Sequence, residues 1–238
     1  MEFNNFLSVV LPIFILELVA AIIGTIYIKR RSDDKTAKYF VLLLWLTVVF
    51  ELMGTYAPLA YFTEYRYFNF VKDTLIVRNC WMVNIHFIIS YFLYIYYFKM
   101  QLVIPRQKQI LNVLLVTFIV SSVVNLFTSD VFFVAFSAYT NITGALILLL
   151  SIAFYFFNIV RSDEVLKIGK LLPSYIAFGA VILHLCLIPF FIYSNYLRES
   201  VGQEFVDIYL FVLRITNLLV YSVYITGFIV CRKKKFIY

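Results

Sequence analysis

The chain has 238 residues, 63% of them hydrophobic, 20% aromatic and only 14% charged, with a formal net charge of +7. A soluble domain is about half apolar and about a quarter charged, and a single core cannot enclose such a surplus. The composition therefore excludes a soluble globular protein. The seven glycines and five prolines also exclude a collagen-like or disordered one.

A membrane-spanning helix needs about 20 mostly apolar residues. Seven segments meet that length: 6–28, 39–61, 80–99, 109–128, 131–159, 171–195 and 206–231. The expectation is an all-α membrane protein, a seven-helix transmembrane bundle forming one domain over residues 1–238. The runs are continuous rather than alternating, which excludes barrel strands. The first segment carries Glu17 at its centre, has no basic residues before it and ends in a basic stop, so it reads as a span and not as a signal peptide. Ser129 and Asp130 leave room only for a tight turn between the fourth and fifth segments.

Lysine and arginine fix the expected orientation. Fifteen of the twenty fall in the first, third and fifth loops and the tail Arg232–Lys235. Four (Arg66, Lys72, Arg78, Arg198) fall on the other side, and Arg214 lies inside the seventh segment. This predicts an outside N-terminus and a cytoplasmic C-terminus in the cell (inner) membrane. The positive charge is then accounted for by topology and by contact with membrane lipids, with no nucleic acid among the partners. The cysteines, Cys80, Cys186 and Cys231, fall at different depths, so neither a disulfide nor a thiolate metal site is expected.

A polar word occurs twice: Arg-Ser-Asp-Asp at 31–34 and Arg-Ser-Asp-Glu at 161–164. The same offset sets Tyr91, Tyr94 and Phe98 of the third segment on Tyr221, Tyr224 and Phe228 of the seventh. Either the bundle is a parallel 3+1+3 repeat of the kind found in some transporters, or aromatic-rich helices align by chance. Within the third segment, Tyr91 and Tyr94 share a face that lines the interior, and Tyr96 and Tyr97 read as an interfacial belt.

Ionisable residues inside a membrane usually face the bundle interior. At about 1.5 Å per residue, Glu17, Glu51, His86, His184 and Arg214 share one band from the outer third to the midplane, together with Asn84, Asn141 and Asn217. These eight form the candidate polar pocket. Arg214 is expected to pair with Glu51 or Glu17, since a guanidinium can hold carboxylate oxygens in a fork; packing and register alone would also explain such a group. There is no phosphate-binding loop, dinucleotide motif, HExxH or Gly-x-Ser-x-Gly. No catalytic residues, cofactor or metal are expected, and no lysine in the seventh segment could attach a retinal.

The phrases FELMGTY, NIHFIISYFLYIYYF and LRITNLLVYSVYI resemble an uncharacterised family of small seven-helix membrane proteins of Bacteroidota. The marks are Glu51 with Gly54, Asn84, and Asn217 with Tyr221. The resemblance implies the seven-helix fold and brings no activity. Helix count also looks like the sweet-type sugar transporters and the rhodopsins, without the proline-glutamine motif of the former. The functional expectation is a non-enzymatic, receptor-like module. Its polar pocket lies in the outer half, it takes a small-molecule or ion ligand, and it signals through a separate cytoplasmic protein. The alternative is a small-substrate or ion transporter, with an intramembrane lipid enzyme further off.

Overall fold

The computed structural model describes residues 3–196 and 203–232, so Arg198 and the tail lysines Lys233–Lys235 lie outside the described residues. All regular structure among the described residues is helical. The helices are α1 (Phe3–Arg30), α2 (Ala37–Gly54), α3 (Tyr56–Phe62), α4 (Cys80–Gln101), α5 (Pro105–Thr128), α6 (Val131–Val134), α7 (Ala138–Val160), α8 (Leu172–Tyr196) and α9 (Gln203–Val230), with three short 3-10 stretches. Among the described residues, seven spans are long and apolar enough to cross a membrane: α1, α2 continued by α3, α4, α5, α7, α8 and α9.

Two predicted segments are interrupted. The second turns at Thr55, between α2 and α3. The fifth is not one helix over 131–159: it breaks at 135–137 between α6 and α7. Ser137 is the reason for the second break. It sits in extended backbone as the N-cap of α7, and its Oγ accepts from the Thr140 amide at 3.2 Å, the usual role of serine at a helix start. Other ends follow simple chemistry. Pro105 opens α5, where its missing N–H costs nothing. Asp34 accepts from the Ala37 amide at 3.0 Å at the start of α2, and Lys29 and Arg30 close α1, where the helix dipole favours cations.

α1, α4, α7 and α9 start at one end, here the upper end, and α2, α5 and α8 run back. Neighbour contacts form a six-membered ring, α1–α2–α4–α7–α8–α9 and back to α1, with α5 outside it against α4 and α7. The outward faces are apolar. On α2, Leu42, Trp45, Val49, Leu52 and Met53 form an exposed stripe; on α5, Val113, Val116, Val120, Val124 and Phe127 do the same. In water these stripes would be untenable, and in hydrocarbon they are the solvent-facing surface.

The lower half is filled by rings. Phe40, Tyr97, Phe98, Tyr224 and Phe228 are all at most 1% exposed. The Phe40 ring lies 5.0 Å from that of Tyr224, 5.8 Å from Tyr97 and 6.0 Å from Phe228, within the range of favourable edge and tilted packing. Tyr97 is thus a core residue and not a belt residue. Tyr96, its neighbour, is half-buried with the Lys99 ammonium 4.6 Å over its ring. One position along a helix turns a side chain by about 100°, which separates the two.

Candidate functional site

The eight candidate residues do not form one cluster. Two of them serve the fold. Asn84 is fully buried. Its amide donates to the Phe132 and Ala135 carbonyls at 3.1 and 2.9 Å, and its Oδ1 accepts from the Ser137 amide at 2.8 Å. It therefore ties the broken α6–α7 segment to α4. Asn217 donates to Leu213 of its own helix at 2.8 Å.

A second group lies between α4, α7 and α8. The Tyr91 hydroxyl is 3.4 Å from Asn141 Oδ1 and 3.2 Å from His184 Nδ1. The Asn141 amide nitrogen donates to the Ser137 carbonyl at 3.0 Å, which fixes Oδ1 as the group facing Tyr91. Tyr91 has one proton to give, and Asn141 Oδ1 can only accept, so the histidine tautomer decides which of the two receives it. His184 Nε2 is buried with no hydrogen-bond partner, as are Ser90 Oγ and Ser122 Oγ.

The third group lies between α1, α2, α4 and α9. Glu17 is 3% exposed, the Tyr221 hydroxyl donates to its carboxylate, and Glu17 Oε2 is buried without a partner. Glu51 lies within electrostatic range of Glu17 and of Tyr209. On α2, Glu51 follows Phe40, Leu44 and Thr47 at spacings of four, three and four residues, opposite the lipid stripe. One turn below it, Thr47 Oγ1 is 3.3 Å from His86 Nε2, and His86 packs 4.9 Å from the Phe50 ring.

Arg214 does not pair with either carboxylate. No ion pair joins it to Glu17 or Glu51 among the described residues, and Arg214 is exposed. Helix rotation explains this. Tyr209, which lies in electrostatic range of Glu51, and Arg214 stand five residues apart on α9, about 140° around the helix. Arg214 also precedes Tyr221 by seven residues, about 10 Å along the helix, so it stands two turns above the Glu17–Tyr221 contact on the same stripe.

Glu51 and Arg214 share an uncommon property. Each lies eleven residues from the upper end of its helical segment, and each is exposed. Glu51 is on the face of α2 opposite the lipid stripe, whereas Arg214 adjoins the exposed Phe211 and Ile215 at the edge of the outer face of α9. A separate apolar hollow of about 300 Å³ lies between α4 and α5, lined by Ile85, Ile89, Val123, Leu126, Phe127 and Phe132 among others. It carries no polar chemistry.

Sequence reasoning found the acids, histidines and arginine by their cost in a membrane. It missed Tyr209 and the pairing of Tyr221 with Glu17, because tyrosine is common throughout this chain and stands out only by its neighbours. No family model matches the chain, and neither a curated protein nor a solved structure is similar to it.

Proposed function

We propose that this chain is a non-enzymatic, receptor-like module of the cell (inner) membrane, with its upper end outside. It admits a small ligand to the Glu17–Glu51 group, and its cytoplasmic loops engage a separate signalling protein. The carrying observation is Glu17, 3% exposed with Oε2 unpartnered and Glu51 beside it, above a closed aromatic half. The excess of lysine and arginine in the lower loops supports the orientation. Leu166, 87% exposed in the loop after α7, offers that face an apolar contact. Membership of the seven-helix family resembled at Glu51, Asn84 and Asn217 is proposed with it.

The test has two parts. In a cysteine-free background, Glu2→Cys and Phe236→Cys report which side each terminus faces; modification of both from one side rejects the topology. A photo-cross-linker at Leu166 then captures the partner. The reading requires that capture change with Glu51→Gln, a substitution at the other end of the bundle. Capture indifferent to it leaves no signal to transmit.

One observation favours a transporter instead. Exchanging α1 with α7, α2 with α8 and α4 with α9 preserves every neighbour relation in the ring. Tyr94 and Tyr224, 130 residues apart, meet at 2.9 Å between hydroxyls, as equivalent residues do on a twofold axis. A parallel repeat suits alternating access. Solute flux into liposomes holding only the purified chain would establish this second reading over the first.

A further inference from the structure

We infer that the hollow between α4 and α5 seats one acyl chain of a phospholipid, whose phosphate rests on Arg78 at the rim.

The hollow lies where the two helices part. Residues 102–104 link them at the lower end, and there Lys99 Nζ donates to Asn112 Oδ1 at 2.7 Å. Towards the upper end α6 packs on both. Two bonds hold it to the start of α4. The Asn84 amide donates to the Phe132 carbonyl at 3.1 Å, and Arg78 Nη1 donates to the Val134 carbonyl at 3.2 Å. The resulting space of about 300 Å³ is lined by Ile85, Ile88 and Ile89 of α4, Val123 and Phe127 of α5, and Phe132.

Three observations choose the occupant. The wall continues the lipid-facing stripe of α5: Val123 is 38% and Phe127 86% exposed, beside the exposed Val120 and Val124. The hollow is therefore open to hydrocarbon. Its depth agrees. Residues 85–89 lie five to nine residues below Cys80, where the span begins. That is about 7–14 Å, in the upper half of a hydrocarbon core about 30 Å thick. Its lining side chains are all apolar, so water finds no partners there, whereas a hydrocarbon chain gains close packing contacts. A partner helix, about 10 Å across, is too wide for it.

The rim supplies the headgroup contact. Arg78 precedes the span by two residues, which sets it at the interface. It is exposed, and no carboxylate pairs with it among the described residues. Val134 takes one of the five N–H donors of the guanidinium. The others form the fork that suits a phosphate. Val134 and Phe132 are two residues apart in α6, a rise of about 3 Å, so one short element carries both the cation's anchor and the apolar roof. A phospholipid presents its groups in the same order, phosphate at the interface and chain below.

The experiment uses the full chain in a non-ionic detergent, stripped of lipid and titrated by native mass spectrometry. The probes are dioleoyl-phosphatidylglycerol, dioleoylglycerol (the same chains without phosphate) and glycerophosphate (the phosphate without chains). The phospholipid should bind about tenfold or more tightly than either part, the range of a charge-assisted contact. Arg78→Gln should abolish that advantage and leave dioleoylglycerol unchanged. Ile88→Trp fills the hollow and should weaken both lipids about tenfold. Two controls should match the parent: Arg66→Gln, an exposed cation of the loop after α3, and Val116→Trp, on the α5 stripe two turns below Val123. A second measurement needs no variant. The same phospholipid with a diazirine in one chain is photolysed on the unaltered protein, and the label should concentrate at residues 85–89 and 123–127. The inference is overturned if phospholipid and dioleoylglycerol bind alike, or if folded Arg78→Gln or Ile88→Trp binds as the parent does. Label spread evenly over the exposed stripe of α2 as well would also overturn it.

Discussion

Gly144 is where a single methyl group tests the packing around Tyr91 most directly. A Cβ at this position would lie 2.5 Å from both Cγ and Cδ2 of Tyr91, where carbon atoms pack at about 3.5–4.0 Å. The ring would have to retreat by about 1 Å, and Cγ is its root, so no rotation about the ring axis relieves the clash. The Tyr91 hydroxyl already sits at 3.4 Å from Asn141 and 3.2 Å from His184, so a retreat of that size breaks both contacts. Overpacking costs about 1–3 kcal/mol, and the two lost hydrogen bonds about 1 kcal/mol each. The better helix propensity of alanine returns about 1 kcal/mol. The net expectation is a loss of about 2–4 kcal/mol. For a chain of this size that is a fall in Tm of roughly 4–16 °C. Thermal unfolding followed by tryptophan fluorescence in detergent measures it. Gly169→Ala is the control, since nothing lies within 4 Å of its Cβ, and it should stay within about 0.5 kcal/mol of the parent. In a Tyr91→Ala background the space is free, and Gly144→Ala should become neutral or stabilising. An undiminished Tm in Gly144→Ala, or a penalty that persists without the Tyr91 ring, would refute the reasoning.

Asn84→Ala strands two carbonyls and one amide in a buried site and should cost about 3 kcal/mol or more. Asn84→Asp should not restore it, because both lost donors stay lost; chemical denaturation in detergent compares the three proteins. Tyr94→Phe and Tyr224→Phe each leave the other hydroxyl buried and alone, so the double variant should be no less stable than either single one, and additive losses in the cycle would show that the two do not interact. Cys231 lies just beyond the last span, 7% exposed. Burial pushes its thiol up to about 11, Arg31 opposing and Asp34 adding. The thiolate is the reactive form, so in a chain lacking Cys80 and Cys186 maleimide labelling should be slow at pH 7 and rise about tenfold per pH unit through pH 10. A plateau near pH 9 would contradict this.

The sequence by itself determined seven stretches long and apolar enough to cross a membrane, because length and hydropathy are properties of a run and survive any packing. It also placed Glu17, Glu51 and Arg214 in one band, since rise per residue converts position into depth. It could not determine rotation. In a soluble helix the apolar stripe marks the buried face; here α2 carries Leu42, Trp45 and Val49 towards lipid and Phe40, Leu44 and Val48 towards the core, and both faces read alike. Hence pattern alone makes Tyr97 a belt residue beside Tyr96, and depth alone pairs Arg214 with Glu51 or Glu17. The tertiary structure decided these points by adjacency. It turned Tyr209 of α9 towards Glu51, brought Tyr221 to Glu17, and left Arg214 on another side of α9, so charges at similar depths stand apart. Depth is written along one helix, while contact depends on which helices are neighbours and how each is turned, and an evenly apolar chain encodes that in packing shape and not in pattern.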